Sequence, residues 1–206
     1  MMQTQWLKWA QQIQAIAQTG LHFTNDVYDR ERYESLRTLS VEILTTYTDH
    51  DMEQVRQLFT NETGYQTPKV DVRAAIFQNE KLLLVREKAD DQWALPGGFC
   101  DVGLSPKENI IKEVKEEAGF EVLPKRLIAI LDQQKHPHPP LAYHYYKIFI
   151  HCDISGGSAQ TGIETKDVGF FSETQLPTLS TTRNTRSQID MLFNYLKSDQ
   201  WETIFD

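Results

Sequence analysis

Apolar positions in the first 60 residues recur at the three-to-four spacing of amphipathic helices. Over residues 4–18, Trp6, Trp9, Ala10, Ile13, Ile16 and Ala17 share a face, which predicts a helix packed through them, and Gly20 predicts its stop. A second helix is expected over 27–47, with Thr24, Asn25 or Asp26 as its cap and Leu36, Leu39, Ile43, Leu44 and Tyr47 as its stripe. A third, short helix is expected from Asp51 to Phe59. The turn formers of "TNETGYQTPK" then mark a linker.

From Lys69 the period shortens to two. "VDVRAAIF" (70–77) puts Val70, Val72, Ala74 and Ile76 on one side of a strand, "KLLLVR" (81–86) reads as a buried strand, and "QNEK" joins them as a hairpin. Further strands are expected near 122–132, 142–153 and 167–172. A last helix carries Ile189, Leu192, Phe193 and Leu196 at helical spacing. The pattern predicts an all-helical domain over 1–62 and a second domain over 68–206. The fold class is α/β (α+β), a mixed sheet with helices against it.

Between these strands lies "GGFCDVGLSPKENIIKEVKEEAGF" (97–120). Ser105, Pro106 and Glu108 form a strong helix start, with a capping box and proline in the first turn. Gly119 is a natural stop, so the helix runs from about Pro106 to Ala118. At about 100° per residue, Ile110, Val114, Ala118 and Ile111 form a stripe spanning roughly 0° to 100°. Glu117, Glu113 and Glu116 follow at about 340°, 300° and 240°, on one arc beside it. Charge runs are usually solvated faces. Here, however, Glu113 and Glu117 are like charges four residues apart, which costs an isolated helix a few tenths of a kcal/mol. They also border the apolar stripe, where burial raises a carboxyl pKa unless a cation is near. Magnesium and similar hard cations take several oxygen ligands and bridge carboxylates to phosphates. The acids therefore fit either a solvated face or a metal site.

Bulk composition narrows the classes. The net charge of −8 argues against a broad electrostatic footprint on duplex nucleic acid, while leaving room for a small nucleotide bridged by metal ions. No window has the run of apolar residues that a membrane span needs, and the first residues lack the layout of a signal peptide. The two cysteines make no disulfide framework, so a reducing cytoplasm is expected.

Gly98 to Phe120 resembles the Nudix box: Gly, five residues, Glu, seven residues, then Arg-Glu-apolar-any-Glu-Glu-any-Gly-apolar. The fit fails at two positions, where Leu104 replaces the first Glu and Lys112 the Arg. "WALPGG" resembles the family's lead-in. "FTNDVYDRERYESLRTLSVEIL", "VDVRAAIF", "KHPHPP" and "ETKDVGFF" are similar to segments of a subgroup with a helical N-terminal extension. That subgroup is often labelled ADP-ribose pyrophosphatase and is similar to bacterial CDP-choline pyrophosphatases.

The resemblance implies a Nudix-type mixed sheet sandwiched by helices. It also implies hydrolysis of a nucleoside diphosphate linked to a moiety X, giving a nucleoside monophosphate and X-phosphate. Glu113, Glu116, Glu117 and the Gly97 carbonyl would bind Mg²⁺ or Mn²⁺, with Zn²⁺ a further option. Glu113, or Glu164 outside the box, would act as base toward water. Gly98 would let the substrate approach. Two alternatives stand beside this reading: a nucleotide-sensing module that kept the fold and lost turnover, and a nucleoside triphosphate pyrophosphohydrolase.

Outside the box, His136 and His138 of "KHPHPP" are candidates for a metal or a substrate phosphate, against a stiff Pro-rich loop. Arg73 is expected to grip a substrate phosphate, against the alternative that it pairs structurally with its neighbours. Cys100 reads as an inert small apolar residue. The helical N-terminus is read as a dimerisation or substrate-covering element, and a homodimer is expected.

Overall fold

The computed structural model describes residues 5–47, 64–139, 141 and 143–206. The short helix expected from Asp51 to Phe59 lies outside these residues. The chain divides into two compact units, Met1–Pro68 with Pro140–His144, and Lys69–Pro139 with Tyr145–Asp206.

In the first unit, α1 (Gln5–Phe23) pairs with α2 (Val27–Thr46). Of the three cap candidates, Asp26 is the one used: its Oδ1 accepts from the amides of Tyr28 and Asp29, both at 2.9 Å. Leu7, Ala10, Val41 and Leu44 form the core, and Ser40 Oγ donates to the Ala10 carbonyl at 2.9 Å.

Two expectations fail here. Gly20 does not end α1 but lies inside it. A Cβ there would fall 2.3 Å from the Tyr33 ring, so the glycine makes room for α2. Nor is the face through Trp9 and Ile16 the packed one. α1 buries Leu7, Ala10, Gln14, Ala17 and Gln18, and leaves Trp9 and Ile16 more than half exposed. Leu39 of α2 and Tyr47 at its C-cap, expected within its apolar stripe, are likewise exposed.

In the second unit, one sheet has the order β1-β6-β5-β8, built from β1 (Lys69–Ala75), β5 (Phe120–Asp132), β6 (Tyr145–Gly157) and β8 (Ile204–Phe205). β1 runs parallel to β6, and β5 antiparallel to it. The other sheet centres on β3 (Lys81–Glu87), flanked by β2 (Phe77–Gln78), β4 (Trp93–Ala94) and β7 (Thr165–Phe171). Asn79 and Glu80 both take positive φ, the geometry of a tight hairpin turn between β2 and β3.

Successive strand residues point to opposite faces. Val72, Ala74, Leu83, Val85 and Ile150 accordingly pack on α3 (Pro106–Ala118). Ala75, Leu82, Leu84 and Phe149 pack on α4 (Arg186–Lys197). The sheets thus lie between two helices, a mixed α+β arrangement. β6 begins at Tyr145, later than expected, and runs on to Gly157 because β5 pairs along its length. The two-residue strands β4 and β8 have no periodicity to read and were not anticipated.

Candidate active site

α3 starts at a complete capping box: Ser105 Oγ accepts from the Glu108 amide, and the Glu108 carboxylate accepts from the Ser105 amide at 2.8 Å. It stops at Gly119, with φ of 77°. Its buried positions are Asn109, Ile110, Val114, Glu117 and Ala118. The buried arc is therefore turned toward the acids, and Ile111, expected inside, is exposed. Asn109 is spent on the preceding loop, its Oδ1 accepting from the Asp101 amide at 2.8 Å and its Nδ2 donating to the Leu104 and Ser105 carbonyls.

The segment before α3 lies along the edge of β1. Val72 N donates to the Gly98 carbonyl and Ala74 N to the Pro96 carbonyl. Gly97 is skipped by this ladder. Its N–H instead donates to Glu117 Oε2 at 2.8 Å. Gly97 has φ of 138°, and a Cβ there would fall 2.0 Å from the Val72 carbonyl oxygen. At Gly98 a Cβ would stand 3.2 Å from the Glu113 carboxylate. The two glycines thus bring backbone against Glu113 and Glu117, a closeness that any side chain would oppose.

Burial pushes the Glu117 carboxyl up to about 8, and the nearby acids Glu87 and Glu113 add to the rise. Arg73 and the Gly97 amide only partly offset it. Glu113 is raised as well, by burial first and then by Glu116 and Glu164. Glu116 points outward, its side chain 59% exposed. Glu164 is exposed at the entry to β7, with its backbone carbonyl held by the Lys88 amide at 2.9 Å. It lies near enough to raise both Glu113 and Glu87.

Glu87, at the end of β3, is a member of this cluster that the sequence reading did not find. It is 2% exposed, is raised by burial, and pairs with Arg183 at 2.9 Å. A charged last residue of an apolar strand ordinarily reads as solvated, and nothing near Arg183 in sequence forms a pattern.

Arg73 is 6% exposed. Its Nε donates to Asp71 Oδ1 at 3.0 Å and its Nη1 to the Leu95 carbonyl at 3.0 Å. Asp71 also pairs with the buried Lys147 of β6, which is pushed down to about 8 chiefly by burial. Of the two readings of Arg73, the pairing with its neighbours is the one its bonds express.

The two loop histidines are drawn into packing. His138 Nδ1 donates to the Thr181 carbonyl at 2.7 Å, and its Nε2 accepts from Gln188 at 3.0 Å. His136 Nε2 meets Asp206 Oδ2 at 2.8 Å. Lys112 reaches Asp101 at 2.7 Å and Glu116 only at 3.7 Å. Leu104 is partly exposed in the turn before α3.

Among the described residues, no three His, Cys, Asp or Glu side chains stand ready-made around a metal position. The donor chemistry nonetheless fits a hard cation: carboxylates only, two of them desolvated and only partly offset by Arg73 and Lys112, and a glycine backbone beside them.

The arrangement matches a known family. Residues 67–193 match the family model described as the NUDIX domain. The chain belongs to the Nudix family. Residues 4–59 match the model described as a UDP-X-like N-terminal oligomerisation domain. YjhB of Bacillus subtilis (strain 168), which carries the provisional name ADP-ribose pyrophosphatase, is 56% identical over 99% of this chain and 98% of its own. A solved structure titled as an ADP-ribose pyrophosphatase from Streptococcus suis 89-1591 is 48% identical, covering 68% of this chain and 100% of that one, with a TM-score of 0.62. One titled as UDP-X diphosphatase is 41% identical, covering 99% and 100%, with a TM-score of 0.64.

Within the Nudix frame, α3 is the box helix, and the loop Gly162–Thr165 closes its C-terminal end. Gly162 has no room for a Cβ against the Glu116 carbonyl, and Thr165 Oγ1 donates to the Glu117 carbonyl at 2.7 Å. This closure is what brings Glu164 to the acids.

Proposed function

We propose that the protein hydrolyses a nucleoside diphosphate linked to a second moiety X, ADP-ribose-like or CDP-choline-like, to a nucleoside monophosphate and X-phosphate, with Mg²⁺ or Mn²⁺. The observation that carries this reading is the pair of buried Glu117 and half-buried Glu113 facing the backbone of residues 97 and 98. The names of the relatives point to the same substrate class. Glu113, Glu116, Glu117 and the Gly97 carbonyl would hold the cation, which when bound would supply Lewis acidity toward the diphosphate and lower the pKa of water. Glu113 or Glu164 takes the proton from the attacking water. Gly98 leaves a side-chain-free approach, while Arg73, His136 and His138 support the walls rather than touch the phosphates. Residues 68–206 carry the reaction, and residues 1–62 associate two copies in a cytoplasmic homodimer.

The test is a panel of nucleoside diphosphate derivatives with Mg²⁺, Mn²⁺ or Zn²⁺ and product identification. Glu116→Gln and Glu117→Gln are expected to lower kcat by about 100-fold or more, since each removes a charge that binds the cation. Unchanged turnover in both would remove the metal assignment.

A second reading, a nucleotide-binding protein without turnover, is favoured by two observations: Lys112 is drawn to Asp101, and Leu104 stands where the box has a carboxylate. Tight binding of a nucleotide derivative with no product formed under any of these metals would establish it.

A further inference from the structure

Among the described residues, the cations around the acid cluster differ in what they have left to give. Arg73 is buried and bonded to Asp71 and Leu95, and Lys147 is 1% exposed against Asp71. Lys112 is held by Asp101, and Lys88 donates to the Gly162 and Ile163 carbonyls. Arg183 is placed otherwise. Its side chain is 27% exposed, with Nε 2.9 Å from Glu87 Oε1. Its Nη1 lies 3.2 Å from Ser180 Oγ and 3.5 Å from Asp90 Oδ2. Nη2 donates no hydrogen bond among the described residues.

The segment that carries Arg183 is fixed to the strand leading into Gly97. Ser180 N donates to the Trp93 carbonyl at 2.8 Å, and Ser180 Oγ to Asp90 Oδ2 at 2.6 Å. The neighbouring Asn184 is fully buried, and its Oδ1 accepts from Leu95 N at 2.8 Å. The carbonyl of Leu95 in turn receives Arg73 Nη1 at 3.0 Å. A guanidinium is therefore mounted on a rigid arm beside Glu87, which pairs across β3 and β7 with Thr165, the neighbour of Glu164 whose hydroxyl donates to the Glu117 carbonyl.

We propose that Arg183 is a substrate-binding residue whose outward edge receives a phosphate of the diphosphate, and that Glu87 and Asp90 hold it in that position. This rests on the diphosphatase reading above. A diphosphate brings at least two negative charges to a site walled by Glu87, Glu113, Glu117 and Glu164, and a cation at the box neutralises only part of that charge. A guanidinium N–H gives a charge-assisted hydrogen bond to a phosphate oxygen, and pairing through Nε and Nη1 leaves Nη2 for the ligand.

The competing account is that Arg183 only neutralises the buried Glu87. Four proteins separate the two: wild type, Arg183→Gln, Glu87→Gln and the double variant, in which no buried charge is left unpaired. Each is measured for melting temperature, for KM and kcat with ADP-ribose and Mg²⁺, and for affinity toward inorganic pyrophosphate without metal. Arg183→Gln is expected to raise KM and weaken pyrophosphate binding by about 10- to 100-fold, the usual effect of losing a charge-assisted contact. The double variant is expected to regain melting temperature but neither KM nor pyrophosphate affinity. Return of both to the Glu87→Gln values in the double variant overturns the proposal. Should Arg183→Gln alone fail to fold, the double variant against Glu87→Gln carries the comparison. A wild type that turns over no nucleoside diphosphate derivative defeats the diphosphatase reading instead, and pyrophosphate affinity still decides the role of Arg183.

Discussion

Two adjacent glycines carry different physical tasks, and substitution separates them. Gly97 holds φ of 138° with the Val72 carbonyl in the place of a Cβ. Gly97→Ala therefore adds backbone strain to a clash with backbone, and should destabilise the protein by about 3 kcal/mol or more in denaturant unfolding. Gly98 needs no unusual φ, and a Cβ there presses only on the flexible Glu113 carboxylate. Gly98→Ala should cost about 1 kcal/mol or less of stability while lowering kcat several-fold, because Glu113 must give way by a few tenths of an ångström. Equal losses of stability in the two variants would show that Gly98 serves the fold rather than the site. Leu104 offers a converse change, a carboxylate gained. It is partly exposed, so Leu104→Glu should fold normally. It is expected to lower the Mg²⁺ concentration at half-maximal rate by roughly 10-fold or less, as a single added charge near a cation would, with little change in KM. A shift of substrate preference with unaltered metal dependence would mean that position 104 faces the substrate instead.

At the level of elements, α3 was legible in nearly every detail. Its cap, first-turn proline, stop and acid arc all depend on residues a few positions apart, and local spacing encodes such features. α1 was not, because its sequence carries two apolar stripes and periodicity alone cannot say which one meets α2. Gly20 misled for a related reason: a glycine that clears space for Tyr33 and one that ends a helix look the same in sequence. The connection after β5 is a further case. The sequence offers His138 as a ligand candidate, but its role depends on Thr181 and Gln188, more than 40 residues away. Burial and the Lys147 charge push it down to about 4 from 6.5, with Nε2 needed as an acceptor. The folded state thus disfavours the protonated ring. Stability is fully present above the unfolded value of 6.5 and is lost as pH falls from 6.5 toward 4, by roughly 3 kcal/mol at most. Urea midpoints measured across that window should show the decline. His138→Gln, which keeps hydrogen-bonding groups but cannot titrate, should flatten it. An unchanged slope would place the acid sensitivity elsewhere.

For the molecule as a whole, the clustered acids and the cations that balance them come from β1, β3, α3, β6 and the segments before β7 and α4. The box could reveal only the part that is contiguous in sequence. Glu87, Lys147 and Arg183 meet the rest through sheet pairing and long-range hydrogen bonds, which leave no local signature. The same limit applies to association. The apolar stripe of α1 that does not pack on α2 carries Trp9, Ile16 and Phe23, spaced seven residues apart and 55%, 59% and 66% exposed. A helix of 19 residues is roughly 28 Å long, and a seven-residue repeat keeps these side chains along one side of it. Leaving three large apolar side chains in water on one helix is costly for a monomer, whereas a second copy can cover them without any new residue. This helix lies within the match to an oligomerisation domain, which argues for a copy of the same chain as the partner. Trp9→Glu with Ile16→Glu places charge in that stripe without touching Leu7 or Ala10, which pack with Val41 and Leu44 of α2. The double variant should elute as a monomer and keep its far-UV helicity, whereas the parent should have twice the monomer mass by light scattering. If the variant remains a dimer, the contact uses another surface. If the parent is a monomer at tens of micromolar, the stripe has a different occupant. Turnover of the monomeric variant then tells whether the second copy contributes to the site, since residues 68–206 already bring together all of the acids named above.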